Sequence, residues 1–163
     1  AASRAATKKL GGALKTALQA AMKDGGPSQA LNVCHDEAEF IAQQICDEEG
    51  LIVCRTSLKV RNPGTEAEDW ELEGLEDLAA RLAPGEPAEN LESWTTVTDA
   101  SGGRTFRFLK AIPPDEVCLK CHGSDLDAEL RAMLAELYPD EQATGFAAGD
   151  LRGAFTVTIA LTR

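Results

Sequence analysis

Cys118, Cys121 and His122 form a C-x-x-C-H motif in the segment Cys118-Leu119-Lys120-Cys121-His122. Two thiols at this spacing can add to the two vinyl groups of one haem, and the imidazole that follows can reach the iron from one side. The motif therefore predicts c-type haem attachment. Cys118 and Cys121 are the predicted cofactor-binding residues, and His122 is the predicted axial ligand.

Two other interpretations of the motif have less support. A structural zinc site needs four ligands, and the chain has neither a second C-x-x-C pair nor a histidine pair at metal-binding spacing. A redox-active dithiol usually opens a helix within a β-α-β unit. The predicted elements contain no such unit, so covalent haem is the better interpretation.

The ligand on the other face of the iron has four candidates, namely Cys34, His35, Met22 and Met133. At about 100° per residue along a helix, Cys34 falls inside the apolar stripe of the second predicted helix. His35 lies about 70° from the centre of that stripe, toward its rim. The methionines are more typical of packing. From the residues alone, either Cys34 or His35 could be the second iron ligand. The Cys34 thiol could also be a small buried side chain that binds no metal.

The chain has five cysteines, so they cannot all pair with one another. Cys46 and Cys54 flank a short segment between a predicted helix end and a predicted strand. In an oxidising compartment they could close a small loop as a disulfide. The alternative is that Cys54 is a buried strand residue without a covalent partner.

The charge balance excludes two classes of partner. The chain has 163 residues, 16 basic and 27 acidic, and a net charge of −11. Nucleic acids and anionic membranes require clustered lysine and arginine, which the sequence lacks.

No apolar run approaches the roughly 20 residues that cross a bilayer. The start at Ala1, without methionine, predicts a processed or truncated product.

Periodicity and turn signals predict an α+β domain. Helical patterns cover residues 5–23, 27–49, about 72–82 and about 125–138, the first two forming a hairpin broken at Gly25-Gly26. Strand patterns cover residues 51–61, 94–99, 104–112 and 149–161. We expect one domain over residues 1–163, with N-terminal helices in 1–49 and an antiparallel sheet with the haem-attachment segment in 50–163.

Several separate blocks of the sequence resemble, in order, the single-haem c-type cytochromes with a PAS-like fold. That family has cyanobacterial members and is also found as sensor ectodomains of bacterial signalling proteins. The blocks are Gly25-Gly26-Pro27, Val33-Cys34 with Ala38, residues 55–59, 61–63, 70–71, 118–123, 138–140, 143–146 and 149–154. The resemblance extends from the second helix to the last strand.

The resemblance implies a PAS-like antiparallel sheet flanked by helices, one covalent haem c, and axial ligation by His122 and, unusually, by Cys34. His35 is then a candidate to replace Cys34 on reduction. Four scarce cations, Arg55, Lys59, Arg61 and Arg152, are candidates to pair with haem propionates, or are solvated surface charges. Trp70 and Phe146 are candidates to wall the haem, with packing in the core as the default alternative for an aromatic side chain.

The ligand set has consequences for function. A thiolate stabilises ferric iron, so we expect a low reduction potential. With both axial positions filled by side chains there is no open site for a substrate, which disfavours an enzyme. One function is a redox or gas sensor, in which reduction or a diatomic gas displaces Cys34 and a downstream signalling module responds. The alternative is one-electron transfer to a redox partner, steered by the acidic surface.

The haem-attachment motif predicts a cellular location, and the first helix has two possible roles. Haem is attached through this motif outside the cytoplasm, so we expect a periplasmic or otherwise exported protein whose signal or anchor is absent from this chain. The apolar face of the first helix would serve either packing on the domain or homodimerisation.

Overall fold

Five α-helices form among the described residues: two in the N-terminal third, one between the first two strands, and two at and after the C-x-x-C-H motif. They come from a computed structural model that describes residues 1–161, so residues 162–163 of the expected domain lie outside the described part. The helices are α1 (Ala2–Asp36), α2 (Ala38–Glu49), α3 (Asp69–Leu82), α4 (Glu116–His122) and α5 (Ala128–Leu137).

The strands form one four-stranded antiparallel sheet in the order β1-β4-β3-β2. They are β1 (Ile52–Thr56), β2 (Glu92–Thr98), β3 (Arg104–Ile112) and β4 (Gly153–Leu161). The register places Val157 of β4 opposite Val53 on one side and Phe108 on the other. The predicted α+β class and the predicted β2-β3 hairpin are confirmed.

Helices cover both faces of the sheet, because the strands alternate apolar side chains between two layers. On one face, Leu10 of α1 and Ile45 of α2 pack on Val53, Phe108 and Val157. On the other face, α3 buries its apolar side chains against those of β3 and β4: Leu75, Leu78, Leu109, Ala111 and Ala154. A third cluster joins α1, α4 and α5 and contains Leu31, Cys121, Leu126, Leu130, Leu134 and Tyr138. This third cluster holds the motif.

The predicted break at Gly25-Gly26 is present within α1. Gly25 (φ −144°, ψ 18°) and Gly26 (φ 70°, ψ −159°) leave the helical conformation, and Pro27 fits the first turn of the helix that resumes. The prediction that this second helix runs unbroken to residue 49 is wrong, because Glu37 (φ −111°, ψ −22°) separates α1 from α2. No helix among the described residues has both the length and the apolar character needed to cross a membrane.

Strand β1 ends earlier than predicted because a serine takes over its hydrogen bonding. The Ser57 hydroxyl donates to the Arg152 carbonyl (2.7 Å) and accepts the Lys59 backbone N–H (3.2 Å). Such bonds compete with the strand ladder. The last strand likewise begins at Gly153 rather than at residue 149, since the Ala147 N–H donates to the Asp150 carboxylate (2.8 Å) in a turn.

The disulfide considered between Cys46 and Cys54 does not form, and both thiols are free. Cys46 Sγ lies 3.3 Å from Val53 N and 3.5 Å from Val53 O, on the face covered by α1 and α2. Cys54 is the next residue of β1, so its side chain lies on the opposite face, and it is exposed. Alternation along the strand keeps the two thiols apart, and the alternative of a buried Cys54 is also wrong.

Candidate functional site

Helix α4 carries Cys118, Cys121 and His122 on its last two turns, where it packs against α1. Cys121 is buried in the cluster with Leu31, and its Sγ lies 4.0 Å from the carbonyl oxygen of Pro27. Burial raises the pKa of the Cys121 thiol to about 11. Cys118 is half-buried. The Cys121 thiol therefore lies on the side of α4 that faces the resumed part of α1.

The ring of His122 is held by a backbone acceptor. Its Nδ1 lies 2.6 Å from the Ala143 carbonyl oxygen, which can only accept a hydrogen bond, so Nδ1 carries the proton and Nε2 is left free in the neutral ring. The Phe146 ring packs edge-to-face on the imidazole at 6.3 Å. Burial and the charges of Arg152 and Arg61 hold the pKa of His122 well below its usual value. The site therefore presents a neutral, oriented imidazole.

Cys34 reaches the same site from α1. It lies three residues after Leu31, which packs on Cys121, so the two share a helix face. Burial raises the pKa of the Cys34 thiol, while the charges of Arg55, Arg61 and Arg152 oppose that rise. The charges of three guanidinium groups from different segments thus act on one half-buried thiol.

Two of these arginines have no anionic partner. Within residues 1–161, neither Arg55 nor Arg152 forms an ion pair. Burial, followed by the charges of Arg61 and Arg55, lowers the pKa of Arg152 to about 10, and burial lowers the pKa of Arg55. Cations confined in this way are costly unless an anion joins them.

Two cationic side chains contact the aromatic ring of Phe146. Lys59 Nζ lies 5.1 Å and the Arg152 guanidinium 5.3 Å from the centroid of its ring. The aromatic face offsets part of the repulsion between these cations. All four cations proposed from the sequence, Arg55, Lys59, Arg61 and Arg152, therefore lie around the His122 side of α4.

The other predicted residues make contacts that do not involve the motif residues directly. His35 is exposed, with Nδ1 2.7 Å from the Asp36 carboxylate and its ring 5.3 Å from that of Tyr138. Trp70 packs with the α3 face of the sheet, and the Arg107 guanidinium lies 5.0 Å from the centroid of its ring, which agrees with the packing alternative for this residue. Met133 packs against the α5 cluster, which agrees with a packing role.

Sequence reasoning missed the groups that support the ligands. Glu141 pairs with Arg61, with Oε2 2.6 Å from Nε, and the Ala143 carbonyl holds His122. A backbone carbonyl has no signature in sequence, and Glu141 is one acidic residue among many. The loop is set by two backbone bonds, from Gly145 N to Gly123 O (3.1 Å) and from Phe146 N to His122 O (2.9 Å).

The donor set does not suit a structural metal ion. Among the described residues, no group of three or more His, Cys, Asp or Glu side chains could hold one. A structural zinc ion needs four such ligands. The zinc interpretation of the motif therefore has no structural support.

Comparison with known proteins gives one structural and one family match. The crystal structure of the cyanobacterial haem protein Tll0287 superposes with a TM-score of 0.66 at 24% sequence identity, covering 99% of this chain and 92% of that chain. No curated protein matches the sequence. The family model described as Tll0287-like matches residues 3–160. This match confirms the resemblance drawn from the motif blocks, and the chain belongs to the Tll0287-like family.

Proposed function

We propose that this chain is a c-type cytochrome that holds one haem through Cys118 and Cys121, with His122 and Cys34 as axial ligands. One observation carries the proposal. Cys121 packs in one cluster with Leu31 of α1, one helix turn before Cys34, and the bond from Nδ1 of the neighbouring His122 to the Ala143 carbonyl leaves Nε2 available to a metal. The similarity to Tll0287, which is described as a haem protein, supports the same conclusion.

The cationic side chains near His122 bear on whether this site suits a haem. Arg55 and Arg152 lack anionic partners among the described residues, and Lys59 lies beside Arg152 on the Phe146 ring. A haem has two carboxylate groups at one edge, and charge-assisted hydrogen bonds from arginine are the contacts such carboxylates favour. We therefore assign Arg55 and Arg152 to the propionates.

Haem iron, when bound, supplies a one-electron ferric–ferrous couple. The protein sets the balance of that couple through its two ligands. The Cys34 thiolate favours the ferric state, since it donates electron density to the metal. His122, held neutral by its surroundings, adds no second negative charge. We propose a low reduction potential for the protein.

The position of Cys34 favours a sensor. Cys34 lies in the last turn of α1, two residues before α1 ends at Asp36, and the same helix resumes only at Pro27 after the glycine break. Segment 27–36 is therefore short and interrupted at both ends. We propose that Cys34 leaves its position when the protein is reduced or meets a diatomic gas, and that segment 27–36 then shifts and signals to a downstream module.

The alternative is one-electron transfer to a redox partner, and the acidic surface, net charge −11, would steer a basic protein toward the chain. With both ligands supplied by side chains, neither function makes the chain an enzyme. Thioether attachment of haem takes place outside the cytoplasm, so the proposal places the protein in an exported compartment.

The first part of the test is covalent attachment. The protein is produced together with a c-type haem maturation system, and covalent haem is measured by the pyridine haemochrome spectrum after acid–acetone extraction. We expect one haem per chain in the wild type and none in the double variant Cys118→Ser, Cys121→Ser. Cys54→Ser is the matched control, since Cys54 is exposed on the α3 side of the sheet.

The second part separates sensor from carrier. Carbon monoxide is added to the reduced protein, and hydrogen exchange of residues 27–36 is measured with and without the gas. Gas binding together with faster exchange in this segment supports the sensor. A reduced protein that resists carbon monoxide and keeps the exchange pattern of the oxidised state supports electron transfer instead.

A further inference from the structure

Arg61 makes the largest set of polar contacts at the site, and the ligand assignment above does not use it. It is buried, 9% exposed, and follows β1 in sequence. Its Nε donates to Glu141 Oε2 (2.6 Å) and its Nη2 to Glu141 Oε1 (3.2 Å). Nη2 also donates to the carbonyl oxygens of Cys121 (2.7 Å) and Ala143 (3.3 Å).

These contacts join three separate segments. Cys121 is on the last turn of α4, Glu141 and Ala143 are on the loop after α5, and Arg61 itself belongs to the connection between β1 and α3. The loop is further tied to that connection by the bond from Gln142 N to Val60 O (3.0 Å). A planar guanidinium can serve a carboxylate and two carbonyls at once, whereas the ammonium of a lysine cannot reproduce this fork.

The Ala143 carbonyl is shared between Arg61 and His122. It accepts from His122 Nδ1 at 2.6 Å and from Arg61 Nη2 at 3.3 Å. A carbonyl oxygen has two lone pairs, so both donors can bind at once. The bond from Arg61 fixes the direction of this carbonyl and withdraws electron density from it. A carbonyl that already accepts a hydrogen bond from a cation polarises the His122 ring less than a carbonyl without such a bond.

We propose that Arg61 is a positioning residue for His122. Through the Ala143 carbonyl it fixes the orientation of the imidazole ring and limits the electron donation of Nε2. Groups that hold the outer nitrogen of a ligating histidine tune the ligand in this way. The part of the inference that concerns iron rests on the proposed function, whereas the part that concerns the ring geometry does not.

The test replaces the planar guanidinium of Arg61 by an ammonium group and keeps the positive charge. In Arg61→Lys the positive charge remains near the site, so an effect of charge alone would leave the haem potential unchanged. If Arg61 positions His122, the Ala143 carbonyl is released to polarise the imidazole more strongly, and the reduction potential falls. We expect a shift of about tenfold in the ferric-to-ferrous ratio at fixed ambient potential, which is about 59 mV for a one-electron couple.

A second readout depends on the ring alone. The His122 Nδ1–H proton is followed by NMR in the purified reduced protein, and its exchange with solvent is measured. We expect exchange at least about tenfold faster in Arg61→Lys than in the wild type, because the loop that carries the Ala143 carbonyl is no longer tied down by Arg61 and opens to solvent more often, even though the bond is stronger while it is closed. This readout remains valid if no haem is attached, so its failure is distinct from a failure of the haem assay.

Two further variants complete the design. Glu141→Gln leaves Arg61 in place and removes the carboxylate that anchors it, so we expect the same two changes at smaller size; it also provides the test if Arg61→Lys does not fold. Arg131→Lys is the control, since Arg131 is exposed and its Nε donates to the Leu126 carbonyl (2.8 Å), just before α5. Unchanged Nδ1–H exchange in both Arg61→Lys and Glu141→Gln would overturn the proposal.

Discussion

At the scale of single residues, two neighbours on the last turn of α1 differ in what surrounds them. Cys34 is half-buried beside α4, and the charges of three arginines act on its thiol. His35 is exposed, its ring rests on Tyr138, and its Nδ1 is engaged by Asp36. Successive helix positions are about 100° apart, so one side chain lies toward the motif while the other lies toward solvent.

Replacing the thiol tests this distinction. In Cys34→Ala, the ferric protein is expected to lose the absorption bands typical of thiolate ligation, and its reduction potential to rise, because the anionic donor that stabilises ferric iron is gone. Absorption spectroscopy and a redox titration measure both effects. Because the substitution removes only one sulfur atom from each chain, the fold is expected to survive.

His35→Ala is the matched substitution one residue away. Its ferric spectrum and potential are expected to equal those of the wild type, since the exposed ring packs on Tyr138 and its Nδ1 is engaged by Asp36. If His35→Ala changed the ferric spectrum and Cys34→Ala did not, the histidine would be the ligand and the assignment of Cys34 would be wrong.

The sequence predicts the reactive groups of the site better than their supports. Cys118, Cys121 and His122 are recognisable because haem chemistry fixes their spacing, and the four cations stand out because basic residues are scarce. The Ala143 carbonyl and the Glu141 carboxylate act through backbone placement and through one pairing across segments. Such contacts depend on the tertiary fold, so no local sequence pattern predicts them.

At the scale of elements, the glycine break in α1 decides whether Cys34 reaches the motif. The part of α1 before the break packs through Leu10 against the sheet, and the part after it packs through Leu31 against α4. Gly26 has φ 70° and ψ −159°, a backbone region that is open almost only to glycine. This residue therefore lets one chain segment serve two packing surfaces.

Gly26→Ala is expected to lower the free energy of unfolding by about 1–3 kcal/mol, the usual cost of a strained backbone conformation. An added Cβ would meet no atom within 4 Å, so a loss of stability reports the backbone conformation alone. Chemical denaturation of the purified protein gives the value. Spectral signs of Cys34 ligation should weaken in parallel, because the direction of segment 27–36 depends on this residue.

Gly12→Ala is the control. Gly12 lies in the regular part of α1 and its added Cβ would also meet no atom within 4 Å, so alanine is expected to stabilise the helix by about 0.5–1 kcal/mol. The two substitutions should therefore have opposite signs. A stabilising Gly26→Ala would show that the chain does not need the left-handed conformation at this position.

Element boundaries show the limit of sequence patterns more clearly than element types do. The glycine break is predictable because two glycines and a proline mark it, whereas the interruption at Glu37 carries no such mark. Strand β1 continues in the sequence pattern to residue 61, but the Ser57 hydroxyl binds the Arg152 carbonyl, 95 residues away, and ends the strand. Partners distant in sequence decide such endings.

At the scale of the whole molecule, the long α1 helix is fastened to the far edge of the sheet through Glu92. This β2 residue accepts from Arg4 Nε at 2.8 Å and lies 3.3 Å from Lys110 Nζ of β3. Its side chain is 13% exposed. The hydrogen bonds from Arg4, and then those from Lys110, hold the pKa of Glu92 below its usual value of 4.5.

This arrangement predicts a pH-dependent contribution to stability. Because the carboxyl has a lower pKa in the folded chain than in the unfolded one, its contribution is complete above about pH 4.5 and is lost as the pH falls through the folded-state value. Glu92→Gln should lower the free energy of unfolding by about 1 kcal/mol at pH 7. In denaturant titrations at a series of pH values, the difference between variant and wild type should shrink as the pH falls below 4.5 and vanish once the carboxyl is protonated in the folded chain.

Glu73→Gln separates this pairing from the general effect of removing a negative charge from an acidic protein. Glu73 is exposed on α3 and forms no ion pair among the described residues. Since the chain carries a net charge of −11, neutralising Glu73 should leave stability unchanged or raise it slightly at pH 7. Equal behaviour of Glu73→Gln and Glu92→Gln across the pH range would show that the pairing between α1 and β2 contributes nothing. A loss confined to Glu92→Gln, and confined to neutral pH, would show that one carboxylate on the sheet edge anchors the start of the helix whose other end carries Cys34.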